Sequence, residues 1–304
     1  MRGLQNYITT LLKQFLPKLQ GNRSGLPLAE LAWWAFLFAL ITGVILSFNY
    51  RPWGDVFKSV SKLTGWLPYG AFFRRLHYLS GQAFLILTFA HTLEHFLRET
   101  YRHIKPQEWT KLVLLFFLSF PLVFTGFILK GDKGGIIAGR VMYNLAQEIP
   151  YLGSGLAALL LRPGEDFFLL PYLHHTVILP LVVIFLLGRH RKHLLPKGGL
   201  GWTLMAFLAF LATFYPLPPD VPPHVETTKI AGPWFFHGIQ LLLHYGPPFW
   251  VGVLWPLVPI GLLAILSFIP SSLLKWAKWI VIITWLLHVT FLLIAWCLIP
   301  GFIK

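Results

Sequence analysis

The chain has 304 residues, of which 56% are hydrophobic and only 12% are charged. A water-soluble protein carries roughly 25% charged residues, so this composition excludes a soluble enzyme and indicates that much of the surface faces lipid. The net charge of +14 does not indicate nucleic-acid binding, because basic residues in so apolar a chain mark cytoplasmic loops and membrane-surface contacts. The single cysteine, Cys297, excludes an internal disulfide, a Cys-ligated zinc or iron–sulfur site and covalent haem attachment through a C-x-x-C-H motif.

The apolar segments predict seven membrane-spanning helices, each of which needs about 20 residues. Before them, residues 1–27 repeat apolar side chains at helical spacing and carry four basic residues. This pattern predicts an amphipathic helix on the membrane surface. The predicted spans are 28–49, 71–97, 109–129, 168–189, 200–215, 249–268 and 277–299.

Two connections between the predicted spans are too long to be simple turns. Residues 130–167 contain the apolar runs Ile136–Leu145 and Gly153–Leu161, which predict short helices at the outer surface. Residues 216–233 are rich in proline and therefore cannot be helical throughout.

The proline-rich connection divides the spans into two predicted domains, which follow the amphipathic helix of residues 1–27. The first is a four-span block, residues 28–198, and the second is a three-span block, residues 199–304. If the seven spans alternate in direction, 14 of the 25 Lys and Arg residues fall on the side that holds the N-terminus. The positive-inside rule then predicts an N-terminus inside and a C-terminus outside.

Four of the 12 histidines form two matched pairs. His77 and His91 are 14 residues apart in the second span, which is about 21 Å along a helix and about 40° around it. His175 and His190 are 15 apart in the fourth span, which is about 22 Å and about 60°. Two such helices form two bis-histidine sites stacked across the bilayer, the ligand pattern of two b-type haems in a helix bundle. Gly81, on the same face as His77, leaves room for a flat macrocycle.

The predicted fold is therefore an all-α integral membrane protein, a seven-span bundle with a four-helix dihaem core. Two other interpretations of the histidines stay open: a haem-free pathway that relays protons or ions, and an integral-membrane metallopeptidase. The second rests on residues 91–95, H-T-L-E-H, which match the H-x-x-E-H zinc signature. That short pattern leaves His77, His175 and His190 unexplained.

Several motifs around these histidines carry a resemblance to a known family. The run R-R-L-H puts Arg74 three residues before His77, and N-Y-R-P stands at 49–52. Longer motifs are IPYLGSGLAALLLRPG at 149–164 and LHHTVILP at 173–180. With the ligand spacings of 14 and 15, the chain resembles the cytochrome b of quinol-oxidising bc-type complexes, especially the shorter chloroplast and Gram-positive kind.

The resemblance covers nearly the whole chain and implies a role for each matching residue. His77 and His175 would hold the outer haem, and His91 and His190 the inner haem. Arg74 would hold a haem propionate. The three-span block resembles the separate smaller subunit of the chloroplast-type complex, here fused to the first block.

Two motifs of the family's outer quinol pocket are altered in this sequence. The family's Pro-Glu-Trp-Tyr reads G-P-W-F at 232–235, so that Pro233 stands where the family has a proton-accepting Glu. The family's Leu-Pro-Trp reads Leu129, Lys130 and Gly131. Both changes fall in the pocket where the family oxidises quinol with bifurcation of its two electrons. The sequence therefore does not predict bifurcated quinol oxidation at this pocket.

Two of the four family glycines that make room for haem are present, Gly43 and Gly126, whereas Ala29 and Leu112 stand at the other two positions. The cysteine that tethers an extra inner haem in the chloroplast branch corresponds to Pro27, so no such haem is expected.

A quinone exchanges two electrons and two protons, so its site needs an apolar slot and a group that exchanges protons. On the outer side we predict that Glu148 and His237 replace the missing Glu. On the inner side we predict that Lys192 and His193 line a slot together with the N-terminal helix.

The predicted function is transfer of electrons across a bacterial cytoplasmic membrane, between the quinone/quinol pool and partner subunits of a respiratory or photosynthetic bc-like complex. Since the chain has no Cys-ligated centre of its own, the expected partner is a Rieske-type iron–sulfur protein or a multihaem cytochrome c. The resemblance also implies a homodimer.

Overall fold

The computed structural model describes residues 27–164, 166–188, 199–226 and 230–298, and all regular structure in these ranges is helical. The amphipathic helix predicted at the N-terminus lies outside them, except for Pro27. The described residues form eleven helices, which we number in chain order. They are α1 Leu28–Ser47, α2 Val56–Gly65, α3 Gly70–Leu97, α4 Pro106–Ile128, α5 Lys133–Gln147, α6 Gly153–Leu160, α7 Leu169–Leu187, α8 Leu200–Phe214, α9 His237–Leu243, α10 Phe249–Phe268 and α11 Ser271–Leu298.

Each of the seven predicted spans is helical, and five of these helices have the length and composition to cross a membrane: α1, α4, α7, α10 and α11. Helix α3 has 28 residues but is more polar, because it carries the paired histidines. Helix α8 is apolar but has only 15 residues in the described range.

The structure confirms the short helices predicted in the first long connection and the non-helical course predicted for the second. Helices α5 and α6 coincide with the two apolar runs predicted after the third span. Helix α5 begins at the buried Asp132, whose carboxylate accepts a hydrogen bond of 2.8 Å from the backbone N–H of Gly135 and so caps the helix. The described part of residues 215–233 is not helical.

The centre of the bundle is formed by α1, α3, α4 and α7. Helix α1 packs along α3, and α4 packs on both α3 and α7. Since lipid is as apolar as these side chains, close van der Waals packing and interhelical hydrogen bonds hold such helices together. The buried residues shared by the four helices are Ala35, Phe36, Phe84, Leu122 and Val183.

The three-span block contacts this core at the N-terminal end of α4, and its first helix, α8, packs on α1 and α3. The indole of the fully buried Trp109 donates a hydrogen bond of 2.7 Å to the carbonyl of Leu263. The hydroxyl of Thr110 donates one of 3.1 Å to the carbonyl of Ala264. Both carbonyls lie near the end of α10, where the helix tightens into a 3₁₀ turn.

An ion-pair cluster fastens the proline-rich segment to the opposite end of the core. Asp220 lies 2.6 Å from the guanidinium of Arg74 and 3.2 Å from the ammonium of Lys130. Lys130 also lies 2.8 Å from Asp132. The four side chains are between 4% and 23% exposed, so two acids and two bases neutralise one another away from water.

Replacing Asp220 with Asn leaves Arg74 and Lys130 without the carboxylate that they share. Removing one partner of a largely buried pair costs on the order of 3 kcal/mol, and we expect a loss of this size in the free energy of unfolding in detergent. The matched control is Lys111→Gln, which breaks an exposed pair with Glu108 and should cost less than about 1 kcal/mol. Equal losses in the two variants would contradict a structural role of the cluster.

Candidate metal centre

Two histidines from different helices face each other inside the four-helix core. The ring centroids of His77 on α3 and His175 on α7 are 5.9 Å apart, and the rings are inclined by 79°. Two imidazoles that bind one metal ion through bonds of about 2 Å have their centroids roughly 6 Å apart. The separation therefore suits a shared ion with one imidazole on each side.

A backbone carbonyl fixes the proton on each of these rings. Nδ1 of His77 lies 2.9 Å from the carbonyl oxygen of Ala39 on α1. Nδ1 of His175 lies 2.9 Å from the carbonyl oxygen of Leu122 on α4. Because a carbonyl only accepts, Nδ1 carries the hydrogen in both rings and Nε2 is the nitrogen that can bind a metal ion.

A glycine lies against each of the two imidazoles. A Cβ atom added at Gly43 of α1 would lie 3.0 Å from Cε1 of His77, and one added at Gly126 of α4 would lie 2.7 Å from Cε1 of His175. Any larger residue would displace the ring. The structure therefore gives a steric reason for both glycines that the sequence singles out.

A threonine precedes each glycine and touches the same imidazole. Oγ1 of Thr42 lies 3.2 Å from Nδ1 of His77, and Oγ1 of Thr125 lies 3.3 Å from Nδ1 of His175. Each hydroxyl donates its own hydrogen to the carbonyl four residues earlier, so its lone pairs face the Nδ1–H. Neither threonine was singled out from the sequence, although a Thr-Gly pair in the first and third predicted spans was a usable signal.

His175 lies in a π-helical turn, His174–Ile178, within α7. Such turns insert one extra residue and are common at functional sites. His174 hydrogen-bonds along its own helix instead, with Nδ1 2.7 Å from the carbonyl of Leu170. The two adjacent histidines therefore have different surroundings, and only His175 faces His77.

The predicted inner site is described only in part. His91 is on α3, and its ring centroid is 4.5 Å from that of His95. His190, Lys192 and His193 lie outside the described residues. The carboxylate of Glu94, the acid of the H-T-L-E-H run, pairs with Arg98 at 2.9 Å. Within the described ranges, no three His, Cys, Asp or Glu side chains are grouped to hold one ion.

Gly81 and Arg74, which were both predicted to contact the haem, have different surroundings in the structure. Gly81 faces open space, since an added Cβ would meet no atom within 4 Å. Arg74 lies one helical turn before His77, and its guanidinium binds the hydroxyl of Thr64 and the carboxylate of Asp220. The guanidinium thus already binds a carboxylate, the chemical group that a haem propionate presents.

The two residues predicted to exchange protons on the outer side have unlike surroundings. His237 is buried, and its Nε2–H donates to the carbonyl of Gly232 at 2.9 Å while Nδ1 accepts from the indole of Trp296 at 2.9 Å. Burial lowers the pKa of His237, against a smaller rise from the Gly232 hydrogen bond. Glu148 is exposed at the end of α5.

The family profile described as Cytochrome b/b6/petB matches residues 25–196, more than half of the chain. The chain belongs to the cytochrome b/b6 family. The cytochrome b6 of Heliomicrobium gestii is 27% identical over 159 residues, which cover 51% of this chain and 75% of the relative. The cytochrome b of Albinaria caerulea is 26% identical over 300 residues, which cover 84% and 80% of the two chains.

One further relative agrees with this assignment, and one solved structure shares the fold. The menaquinol:cytochrome c reductase cytochrome b subunit of Geobacillus thermodenitrificans is 25% identical over 169 residues, 53% of this chain and 74% of the relative. A chain of the solved structure titled Hyperthermophilic respiratory Complex III superposes with a TM-score of 0.64 at 18% identity, over 94% of this chain and 95% of that one. The structural match shows a shared fold.

Membership of the family makes this chain an integral membrane protein of electron transport, in a family that normally binds b-type haem and uses quinol. The residues present fit a haem. Two imidazoles from opposite helices offer Nε2, and Gly43 and Gly126 leave the space that these two rings occupy.

Replacing Gly126 with Val puts side-chain atoms where the His175 ring now lies, so we expect the amount of b-type haem per chain to fall. The pyridine haemochrome assay of purified protein measures it. Gly155→Val is the matched control, because an added Cβ at Gly155 meets no atom within 4 Å. Full haem content in Gly126→Val would contradict the steric role of this glycine.

Proposed function

We propose that this cytochrome b is a dihaem subunit, with His77 and His175 as ligands of an outer haem and His91 and His190 as ligands of an inner one. It carries electrons across the membrane between the quinone pool and partner redox subunits. A b-type haem, when bound, accepts and releases one electron at a time. The facing imidazoles of His77 and His175, each with Nδ1–H bound to a carbonyl, are the observation that carries this proposal.

The second haem site is supported by the uninterrupted course of α3. The helix runs without a break from Gly70 to Leu97, so the rise of about 21 Å between His77 and His91 applies to this protein. Such a separation puts the two histidines near opposite edges of a hydrocarbon layer about 30 Å thick. His190 would complete the inner pair from the fourth span.

The proposed membrane topology has seven spans, with α3 and α8 added to the five strongly apolar helices. The N-terminus is inside and the C-terminus outside. The proposed domains are the surface helix of residues 1–27, the dihaem block of residues 28–198 and the three-span block of residues 199–304.

The chain's own residues would bind and orient the cofactor. Gly43, Gly81 and Gly126 leave space for the macrocycle, while Arg74 would bind a propionate. Lys192 and His193 would line an inner quinone slot.

On the outer side, Glu148 and His237 are the proposed proton-exchanging groups. The exposed carboxylate of Glu148 can exchange a proton with water directly. His237 can do so only if its hydrogen bond from Trp296 or to Gly232 is broken.

The relatives from bc-type complexes support a multi-subunit assembly. Because no Cys-ligated centre can form within this chain, its partner would be a Rieske-type iron–sulfur protein or a multihaem cytochrome c. A homodimer is also proposed, with lipid around its spans.

The haem stoichiometry of histidine variants tests the proposal. We expect two b-type haems per wild-type chain and one each in His175→Ala and His91→Ala, because each variant removes an axial ligand of one haem. His174→Ala is the matched control and should keep both haems. A colourless wild-type protein would favour the proton relay. Bound zinc together with loss of peptidase activity in Glu94→Gln would favour the metallopeptidase.

Quinol turnover of Glu148→Gln, His237→Gln and the double variant tests the outer proton exchange. Glu148→Gln should slow turnover at least tenfold without loss of haem, because the amide cannot take up a proton. The double variant measures whether His237 adds to the effect. Unchanged turnover in the double variant would remove both residues from the mechanism.

A further inference from the structure

A cavity of about 390 Å³ opens at the edge of the bundle where α3 ends and α11 begins. One wall comes from the turn that follows α3, and the other comes from the first three turns of α11. The site is far along α3 from His77, and no histidine lines it. The lining residues are Arg102, Lys275, Lys278, Trp279 and Ile282.

The cavity has an excess of positive charge. Three of its lining side chains are cations, and the acid beside them is Glu99, which accepts hydrogen bonds from Lys278 and from Arg102. Burial acts to raise the pKa of Glu99, but Lys278 and Arg102 outweigh it, so the pKa lies below its usual value and the carboxylate stays ionised at neutral pH. Three cations against this one acid leave a charge of about +2 around the opening.

The backbone holds Glu99 at the back of this cluster. Glu99 adopts a left-handed conformation, with φ of 53°, at the step from α3 into the short 3₁₀ turn Thr100–Arg102. Its carboxylate orients Arg102 and Lys278 toward one another from different helices. Lys275, one turn before Lys278 on α11, is exposed and completes the set.

The same cavity borders the lipid-facing surface of α11. Trp276 and Trp279 are 68% and 43% exposed, and tryptophan at a helix end marks the boundary between headgroups and hydrocarbon. Farther along the helix, Ile283 and Leu286 are 50% and 63% exposed, which continues an apolar surface away from the cations. The opening therefore has a charged end in the headgroup layer and an apolar end in the acyl-chain layer.

We propose that this cavity binds an anionic phospholipid, with the phosphate held by Arg102, Lys275 and Lys278 and the acyl chains lying along the exposed face of α11. Basic pockets between membrane helices recognise anionic headgroups in this way. A free phosphate ion would use the same cations, but it would gain nothing from the apolar surface beside Trp279. A zwitterionic lipid would place its own positive group near the excess positive charge.

Native mass spectrometry of the purified protein, delipidated and then titrated with defined lipids, tests this site. The probes are phosphatidylglycerol, phosphatidylcholine and inorganic phosphate as a competitor. We expect phosphatidylglycerol to bind at least tenfold more tightly than phosphatidylcholine. Millimolar inorganic phosphate should not displace it, since phosphate lacks the acyl chains.

Variants locate the binding within the protein. Lys275→Gln should weaken phosphatidylglycerol binding about fivefold, and Arg102→Gln with Lys275→Gln about 25-fold, as each lost cation near a membrane surface removes a similar increment. Lys111→Gln is the control, because it removes an exposed cation outside the cavity. Retained haem absorption shows that each variant has folded.

Three results would overturn the lipid site. Equal binding of the two lipids would mean that the excess positive charge does not favour an anionic headgroup over a zwitterionic one. Displacement by inorganic phosphate would identify a simple anion site. An equal loss in Lys111→Gln and Lys275→Gln would mean that the lipid responds to net charge and not to this cavity.

Discussion

The four-helix core depends on the contact between each imidazole and a Thr-Gly step on the neighbouring helix. A buried ring in a lipid environment needs a hydrogen-bond partner, because no water is available to supply one. The absence of a side chain at Gly43 and Gly126 lets the rings of His77 and His175 reach the backbone of α1 and α4. The same contact brings each pair of helices together and leaves Nε2 as the metal-binding nitrogen.

This arrangement joins folding to cofactor binding. The pair α1 and α3 and the pair α4 and α7 use the same elements in the same order: a carbonyl, a threonine three residues later and a glycine after it. Each pair presents one imidazole, so the two pairs must assemble face to face before a bis-histidine site exists. A change at either Thr-Gly step therefore alters helix packing and ligand position together.

The charged residues are placed according to the same constraint, since charges near a bilayer must be paired or reach the headgroups. Lys130 stands within the altered Leu-Pro-Trp motif that the resemblance singled out, and Asp132 and Asp220 neutralise it. The altered motif is thus accompanied by two acids, one of them in the proline-rich segment. At the other end of the bundle, three cations and one acid surround the cavity between the end of α3 and the start of α11.

Much of the fold was predictable because helical period and apolar length are local properties of the sequence. All seven predicted spans are helical, and the histidine spacing on α3 follows from its uninterrupted course. The two Thr-Gly pairs were visible in the sequence, but the contacts of Thr42 and Thr125 with the imidazoles were missed, because these partners lie 35 and 50 residues away along the chain. Asp220 was missed for a similar reason, as an irregular segment gives no pattern from which its contact with Arg74 follows.

Electron paramagnetic resonance of the oxidised His91→Ala variant tests most directly whether His77 and His175 share one haem iron. That variant should keep only the outer site, where the two imidazoles are inclined by 79°. Two strong-field nitrogen ligands in this orientation predict a low-spin ferric signal with large anisotropy. A high-spin signal, or no ferric haem signal, would contradict ligation by this pair.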